Sequence, residues 1–248
     1  KKRLAVSIMS SGFICDEELL ETLAEWGLMS FQLSIHSAMP EKHDAFTGVS
    51  GSFANMLKSI RFLTKRGVVL YGAVNITTLN AGEVEAIKVF CLGEGVIPLF
   101  NFNMIKKRSG DSSPLLLTLQ KDEIVHLAGS IDAGKARFKD IGPDEAPCGA
   151  ANNVFSLDPA GNIYPCIEIR EVAGNIKEKS LADIWRDSEV MKKIREIKFR
   201  DLSECQSCKF RKFCNRCAGF ALAAGESLKG HAISDCILAE AFYRRCQR

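Results

Sequence analysis

Long apolar runs are missing. No stretch of eighteen uncharged apolar residues occurs, so no helical membrane span is expected. An excess of one charge sign is missing too: 33 basic residues stand against 30 acidic ones. That balance leaves no field strong enough to call for nucleic acid or anionic lipid as partner. No GxGxxG, no P-loop and no Ser-His-Asp arrangement is present, so dinucleotide, nucleoside-triphosphate and serine-hydrolase chemistry find no support. The opening residues Lys1-Lys2-Arg3-Leu4 hold no signal-like apolar stretch, and a cytoplasmic location is expected. Cysteine is scarce in the first 147 residues, which carry only Cys15 and Cys91 of the ten.

Apolar residues are present at 46%, enough to bury a core in 248 residues, which excludes a disordered chain. The first half alternates two periodicities. Strands are predicted over residues 4–9, 29–35, 68–76 and 96–104, and helices over 17–26, 52–66 and 81–92, with Asp16 as a cap and Gly27 and Gly67 as stops. Strands alternating with helices predict an α/β fold with a parallel sheet or barrel, whose chemistry sits at the C-terminal ends of the strands. Those ends are rich in Ser, Asn and His. His36 reads as a hydrogen-bonded structural or pocket residue and His43 as part of a surface loop. Cys15 and Cys91 read as small packed side chains, and Lys106-Lys107-Arg108 as a solvated loop.

The remaining cysteines are bunched. Cys148 is followed by Gly161 and Cys166. Then come Cys205-x2-Cys208-x5-Cys214-x2-Cys217, Cys236 and Cys246. A CxxC turn brings side chains i and i+3 together, so two such pairs within thirteen residues point to metal. Disulfides need an oxidising compartment, which nothing here suggests. Structural zinc takes four thiolates and leaves Cys148 and Cys166 without a role. Two cubane iron–sulfur clusters take seven or eight, the number available.

The cysteine series resembles the seven-cysteine motif of the SPASM domain in radical S-adenosylmethionine (SAM) enzymes. Asn162-Ile163-Tyr164-Pro165-Cys166, Gly174-Asn175-Ile176 and Leu181-Ala182-Asp183-Ile184-Trp185 are similar to that domain as well. Where the family usually has three residues between the third and fourth cysteines of the bunch, two stand here, Asn215 and Arg216. In the first half, Ser34-Ile35-His36-Ser37 resembles the Ser-Leu-Asp-Gly end of the fourth barrel strand. Glu41-Lys42-His43-Asp44, Gly48 and Gly51-Ser52-Phe53 resemble the loop and helix start that follow. Residues 4–12, ending Ser10-Ser11-Gly12, resemble the third strand.

The resemblance implies a partial (β/α)6 barrel, with strands three to six over residues 1–113, a helical linker over 114–147 and a cluster domain over 148–248. It implies SAM as cofactor, with Ser34 near its ribose and Asn75 lining the same cavity. It further implies two auxiliary [4Fe-4S] clusters, one on Cys205, Cys208, Cys214 and Cys236, the other on Cys148, Cys166 and Cys217. Cys246, Asp144, Glu145 or an open iron position would complete the second set; Cys246 also reads as a buried helix cysteine. The CxxxCxxC of the SAM-cleaving cluster and the Gly-Gly-Glu strand motif are absent from this sequence. The chain is therefore expected to be an N-terminally incomplete piece or a degenerate relative, inactive alone. In the full protein the expected activity is modification of a peptide or protein side chain through a 5′-deoxyadenosyl radical. The electron would come from a reductant such as flavodoxin or ferredoxin. A small-molecule or tetrapyrrole substrate and a non-catalytic, metal-stabilised peptide-binding module are the alternatives. Sulfatase-maturating relatives place an Asp directly after the matching cysteine; here Ile167 follows Cys166, which argues against a formylglycine-forming role unless Glu168 substitutes for that Asp.

Overall fold

The computed structural model describes residues 5–14, 16–107, 109–131 and 140–247. The chain divides into two units, Lys1–Asn103 with Leu117–Leu119, and Met104–Leu116 with Gln120–Arg248. In the first unit strands and helices alternate: β1 (Ser7–Ser10), α1 (Glu17–Glu25), β2 (Ser30–Ser34), α2 (Pro40–Thr47), α3 (Ser52–Thr64), β3 (Val69–Asn75), α4 (Val84–Gly93) and β4 (Val96–Asn101). The four strands form one parallel sheet in chain order, the expected α/β class. Successive parallel strands need a crossover, and the helices supply it.

Strand register sorts the side chains into two faces. Ile8, Phe31, Leu70 and Val96 pair in one row, and with Leu33, Gly72 and Val74 they form the face covered by helices. Leu33, Val74 and, from α3 and α4, Met56, Ile60, Leu63 and Ile87 are fully buried there. Gly72 is required by close approach, since a Cβ would lie 2.9 Å from Ile35 Cδ1 and 3.5 Å from Cys91 Sγ. Cys91 is thus a packed side chain, as expected, and burial pushes its thiol up to about 12, so it stays protonated. Cys15 and Arg108 lie outside the described residues. The opposite face carries Met9, Gln32, Ser34, Tyr71, Ala73, Asn75, Ile97, Leu99 and Asn101, all half-exposed or exposed.

One segment differs from the sequence expectation. Residues 40–47 form a helix rather than a loop, and His43 on it is 2% exposed rather than at the surface. The helix is started by Pro40 and stopped by Gly48 in the left-handed region. It carries no apolar stripe, because His43 is its one buried residue, so periodicity could not announce it.

The first α-helix of the second unit is α5 (Lys121–Ser130). A three-stranded antiparallel sheet follows: β5 (Ser156–Leu157), β6 (Asn162–Tyr164) and β7 (Gly174–Asn175). Then come α6 (Leu181–Asp187), α7 (Glu189–Glu196), α8 (Ser203–Gln206), α9 (Ala218–Ala223) and α10 (Ile233–Cys246). Gly161 turns β5 into β6 at φ 94°, and a Cβ there would meet Asn175 Oδ1 at 2.9 Å. Ile163, Ile169, Ile184, Met191 and Ile194 make the core beneath this sheet, and α10 packs along α5. Among the described residues, no helix is long and apolar enough to cross a membrane.

Asp44, at the end of α2, organises the start of α3. Its Oδ1 accepts from the Phe53 N–H at 2.8 Å and the Ser52 hydroxyl at 2.9 Å, and its Oδ2 accepts from the Gly51 N–H at 2.6 Å. These donors, the Phe53 N–H foremost, hold its pKa below the usual carboxylate value. A depressed carboxylate pKa contributes stability above the ordinary value and loses it as pH falls through the folded one. Asp44→Asn removes one acceptor. It is expected to lower Tm at neutral pH and to flatten the fall of Tm between about pH 5 and about pH 3, read by circular dichroism melts. A parallel fall in both proteins would count against this assignment.

Candidate functional site

Seven cysteines arrive from three stretches of the second unit: one set of four lines a cavity, and a set of three stands outside its lining. The first is built by short turns. The backbone N–H of Cys205 donates to Leu202, that of Cys208 to Cys205, that of Arg211 to Cys208 and that of Cys214 to Arg211. Each step spans three residues, so the chain coils tightly and returns three thiols to one side. Cys236 enters from the first turn of α10. Cys205, Cys208, Cys214 and Cys236 together line one partly open cavity, shared with Arg216, His231 and Asp235. Burial pushes the Cys214 thiol up to about 12, with Asp235 and the neighbouring thiols adding to the shift; Cys205 and Cys236 are raised for the same reasons. Thiols so placed keep their protons until a cation replaces them.

The second group is assembled by backbone pins. The Ala151 N–H donates to the Pro165 carbonyl at 2.9 Å, which ties the turn after Cys148 to the residue before Cys166. Ala151 is the one described non-glycine residue with positive φ, at 56°. Arg195 Nε holds the Ala151 carbonyl at 2.7 Å, its Nη2 holds the Trp185 carbonyl at 2.6 Å, and its guanidinium lies 4.5 Å over the Trp185 ring. Cys148 and Cys166 both pack on the core that includes Ala218, the neighbour of Cys217. Gly219 brings the two stretches together, because its Cα sits so near Glu168 that a Cβ would lie 2.2 Å from the Glu168 Cβ. Glu168 is thereby placed beside Cys217 and raises that thiol in addition to burial.

The donor chemistry fits iron–sulfur clusters. Among the described residues, no three His, Cys, Asp or Glu side chains converge as ligands of one metal ion. A single tetrahedral zinc at a Zn–S of about 2.3 Å would draw its sulfurs to about 3.8 Å from one another. Cubane thiolates each take a different iron and stand further apart. The buried Nη1 of Arg216, in the thiol-lined cavity, has no hydrogen-bond partner among the described residues, as suits a cavity built for an anion.

The candidates for an eighth ligand are not alike. Cys246 is exposed, not buried, and ends α10 ten residues beyond Cys236, about 15 Å along the helix. Asp144 is exposed and paired with Arg200, and Glu145 accepts from the Gly142 N–H at 3.2 Å.

In the first unit, Ser34 ends β2 and Asn75 ends β3, both on the open face of the sheet. The Asn75 side-chain oxygen accepts from Asn101 Nδ2 at 3.1 Å. Buried Asn80, which sequence reading missed because nothing marks a lone loop Asn, donates to the carbonyls of His36 at 2.9 Å and Asn75 at 3.0 Å, locking these two strand ends. His36 stacks on Phe46 at 4.2 Å, and burial lowers its pKa to about 4, so it is neutral. Its Nδ1 and the Asn103 Oδ1 are buried without partners, an edge with polar capacity to spare. Lys107 pairs with Asp111 at 2.7 Å in a solvated loop, as expected.

Residues 148–209 match the SPASM family, described as an iron-sulfur cluster-binding domain. The chain is similar to an AdoMet-dependent heme synthase of Methanosarcina barkeri, 25% identical over 89% of this chain and 71% of the relative. It is also similar to the PqqA peptide cyclase of Granulibacter bethesdensis, 22% identical over 90% of this chain and 64% of the relative. These matches support a radical SAM enzyme of the SPASM family as the kind of protein this chain resembles. It spans about two thirds of the length of these relatives. Two solved structures share the fold of this chain. One is native anSMEcpe with bound AdoMet, with a TM-score of 0.70 and 14% identity over 98% of this chain and 73% of that one. The other is Streptococcus suis SuiB bound to precursor peptide SuiA, with a TM-score of 0.66 and 17% identity over 93% of this chain and 58% of that one.

The Gly219 contact makes a prediction. Gly219→Ala forces a Cβ into the Glu168 backbone, 2.9 Å from its carbonyl carbon, and is expected to cost about 1–3 kcal/mol in urea unfolding. An unchanged unfolding midpoint would show that the two cysteine stretches are not held by this approach.

Proposed function

We propose that this chain is the cluster-bearing portion of a radical SAM/SPASM maturase that modifies a peptide or protein side chain. The single observation that carries the proposal is the cavity that Cys205, Cys208, Cys214 and Cys236 line together. Cys205, Cys208, Cys214 and Cys236 would hold one [4Fe-4S] cluster, and Cys148, Cys166 and Cys217 the other. Residues 148–248 would form the cluster domain, 1–113 the barrel portion and 114–147 the link between them. Reductive cleavage of SAM is the chemistry that the cofactor supplies when bound, with an electron from a flavodoxin- or ferredoxin-type donor. Ser34 and Asn75, on the open face at the strand ends, would contact SAM. Neutral His36 and the partnerless Asn103 oxygen add polar groups for orienting it. The cytoplasm is the expected location.

The PqqA peptide cyclase and the peptide-bound SuiB structure support a peptide substrate. The heme synthase likeness keeps a tetrapyrrole as the second reading. Anaerobic reconstitution is expected to load about eight iron and about eight sulfide per chain. Cys205→Ser and Cys148→Ser should each retain about four, by colorimetric assay. One or two zinc, with little iron, would sink the cluster reading. For the reaction, the protein that carries this chain is incubated with SAM, dithionite and any short peptide found encoded beside its gene. Peptide-dependent release of 5′-deoxyadenosine with a mass change in the peptide is expected. Turnover with a tetrapyrrole alone would select the second reading, and an iron-loaded protein inert to both would favour a binding module.

A further inference from the structure

Arg216 lies between two cysteines of different groups, Cys214 and Cys217. Its side chain points to no carboxylate among the bonds that hold it. Nε donates to the Gly230 carbonyl at 2.9 Å, and Nη2 donates to the carbonyls of Leu228 and Gly230, the latter at 2.6 Å. These bonds fix a planar fork that a lysine could not reproduce. Nη1 is left buried without a partner among the described residues, in the cavity of Cys205, Cys208, Cys214 and Cys236.

An unpaired buried donor on a permanent cation is costly unless an acceptor meets it. The other charged groups of this cavity are engaged elsewhere. Asp235 accepts the Cys217 N–H at 2.8 Å, Arg211 pairs with Asp140 at 3.1 Å, and His231 pairs with Glu204 at 2.6 Å. What remains on the cavity wall for a donor is sulfur, and a sulfur carrying cluster charge is a far better acceptor than a thiol.

We infer that Arg216 is a positioning and tuning residue: its Nη1–H donates to a sulfur of the cluster held by Cys205, Cys208, Cys214 and Cys236. A fixed cation and hydrogen bond favour the more negative, reduced form, so this cluster takes an electron more readily than it would without Arg216. The inference rests on the cluster reading above.

The test is a potentiometric titration of the reconstituted chain, followed by electron paramagnetic resonance, in the parent, Arg216→Lys and Arg216→Met. Iron is counted first. Arg216→Met is expected to keep its iron and to shift the reduction equilibrium of one auxiliary signal at least about tenfold toward the oxidised form, about 59 mV for a one-electron couple. Arg216→Lys should recover part of the shift, and the other signal should stay where it was. Retained iron with unmoved signals overturns the inference alone. A parent that binds no iron overturns the cluster reading and the inference with it. Should Arg216→Met fail to fold, the parent itself decides. Uniform 15N-arginine labelling should give the reduced cluster a nitrogen coupling that survives Arg211→Lys, and its absence overturns the inference.

Discussion

A buried carboxylate joins the two thiol groups. Asp235 is 5% exposed on the first turn of α10, accepts the Cys217 N–H at 2.8 Å and lines the cavity of Cys205, Cys208, Cys214 and Cys236. A carboxylate removed from water must be bonded, and the first turn of a helix favours its charge. The consequence is positional. Cys236 follows Asp235 directly, so the bond that satisfies the carboxylate also sets Cys236 against a loop eighteen residues away in sequence. Arg216, the residue before Cys217, extends the same arrangement by gripping the carbonyls of Leu228 and Gly230.

The rest of the cysteine-rich unit combines small hydrophobic clusters with many irregular backbone groups to satisfy. Its strands are two or three residues long and its helices mostly short. Individual side chains therefore do what long ladders do elsewhere. Arg195 spans from Ala151 to Trp185, and Asp158 holds the β5–β6 turn through Asn162 and Tyr164, bonds that hold its own pKa down to about 2. The described thiols are gathered but unbonded to one another.

Much of the parallel sheet was legible in the sequence. The runs at β2, β3 and β4 and the stripes of α1 and α3 follow periods of two and 3.6, set by which face meets the core. Helix α2 was not legible, since a helix that buries one histidine has no stripe. Ser34 and Asn75 could be named from their strand ends, but their sharing of the open face depends on register, which single strands do not carry. The thiol spacing announced metal. Asp235, Arg195 and Asn80 gave no signal, because one Asp, Arg or Asn in a polar stretch looks like any surface residue until burial is known.

Two properties of this protein are local and can be read along the chain: the class of the fold, through its alternating periods, and the presence of a metal-binding module, through CxxC spacing that short-range geometry suffices to explain. That Cys205, Cys208, Cys214 and Cys236 line one cavity, and what surrounds the other cysteines, depends on packing. That arrangement rests on contacts between residues far apart in the chain: Gly219 against Glu168, Ala151 against Pro165, Asp235 against Cys217. Packing also placed the Arg216 guanidinium among thiols, since burial is a property of the folded molecule and of no residue alone.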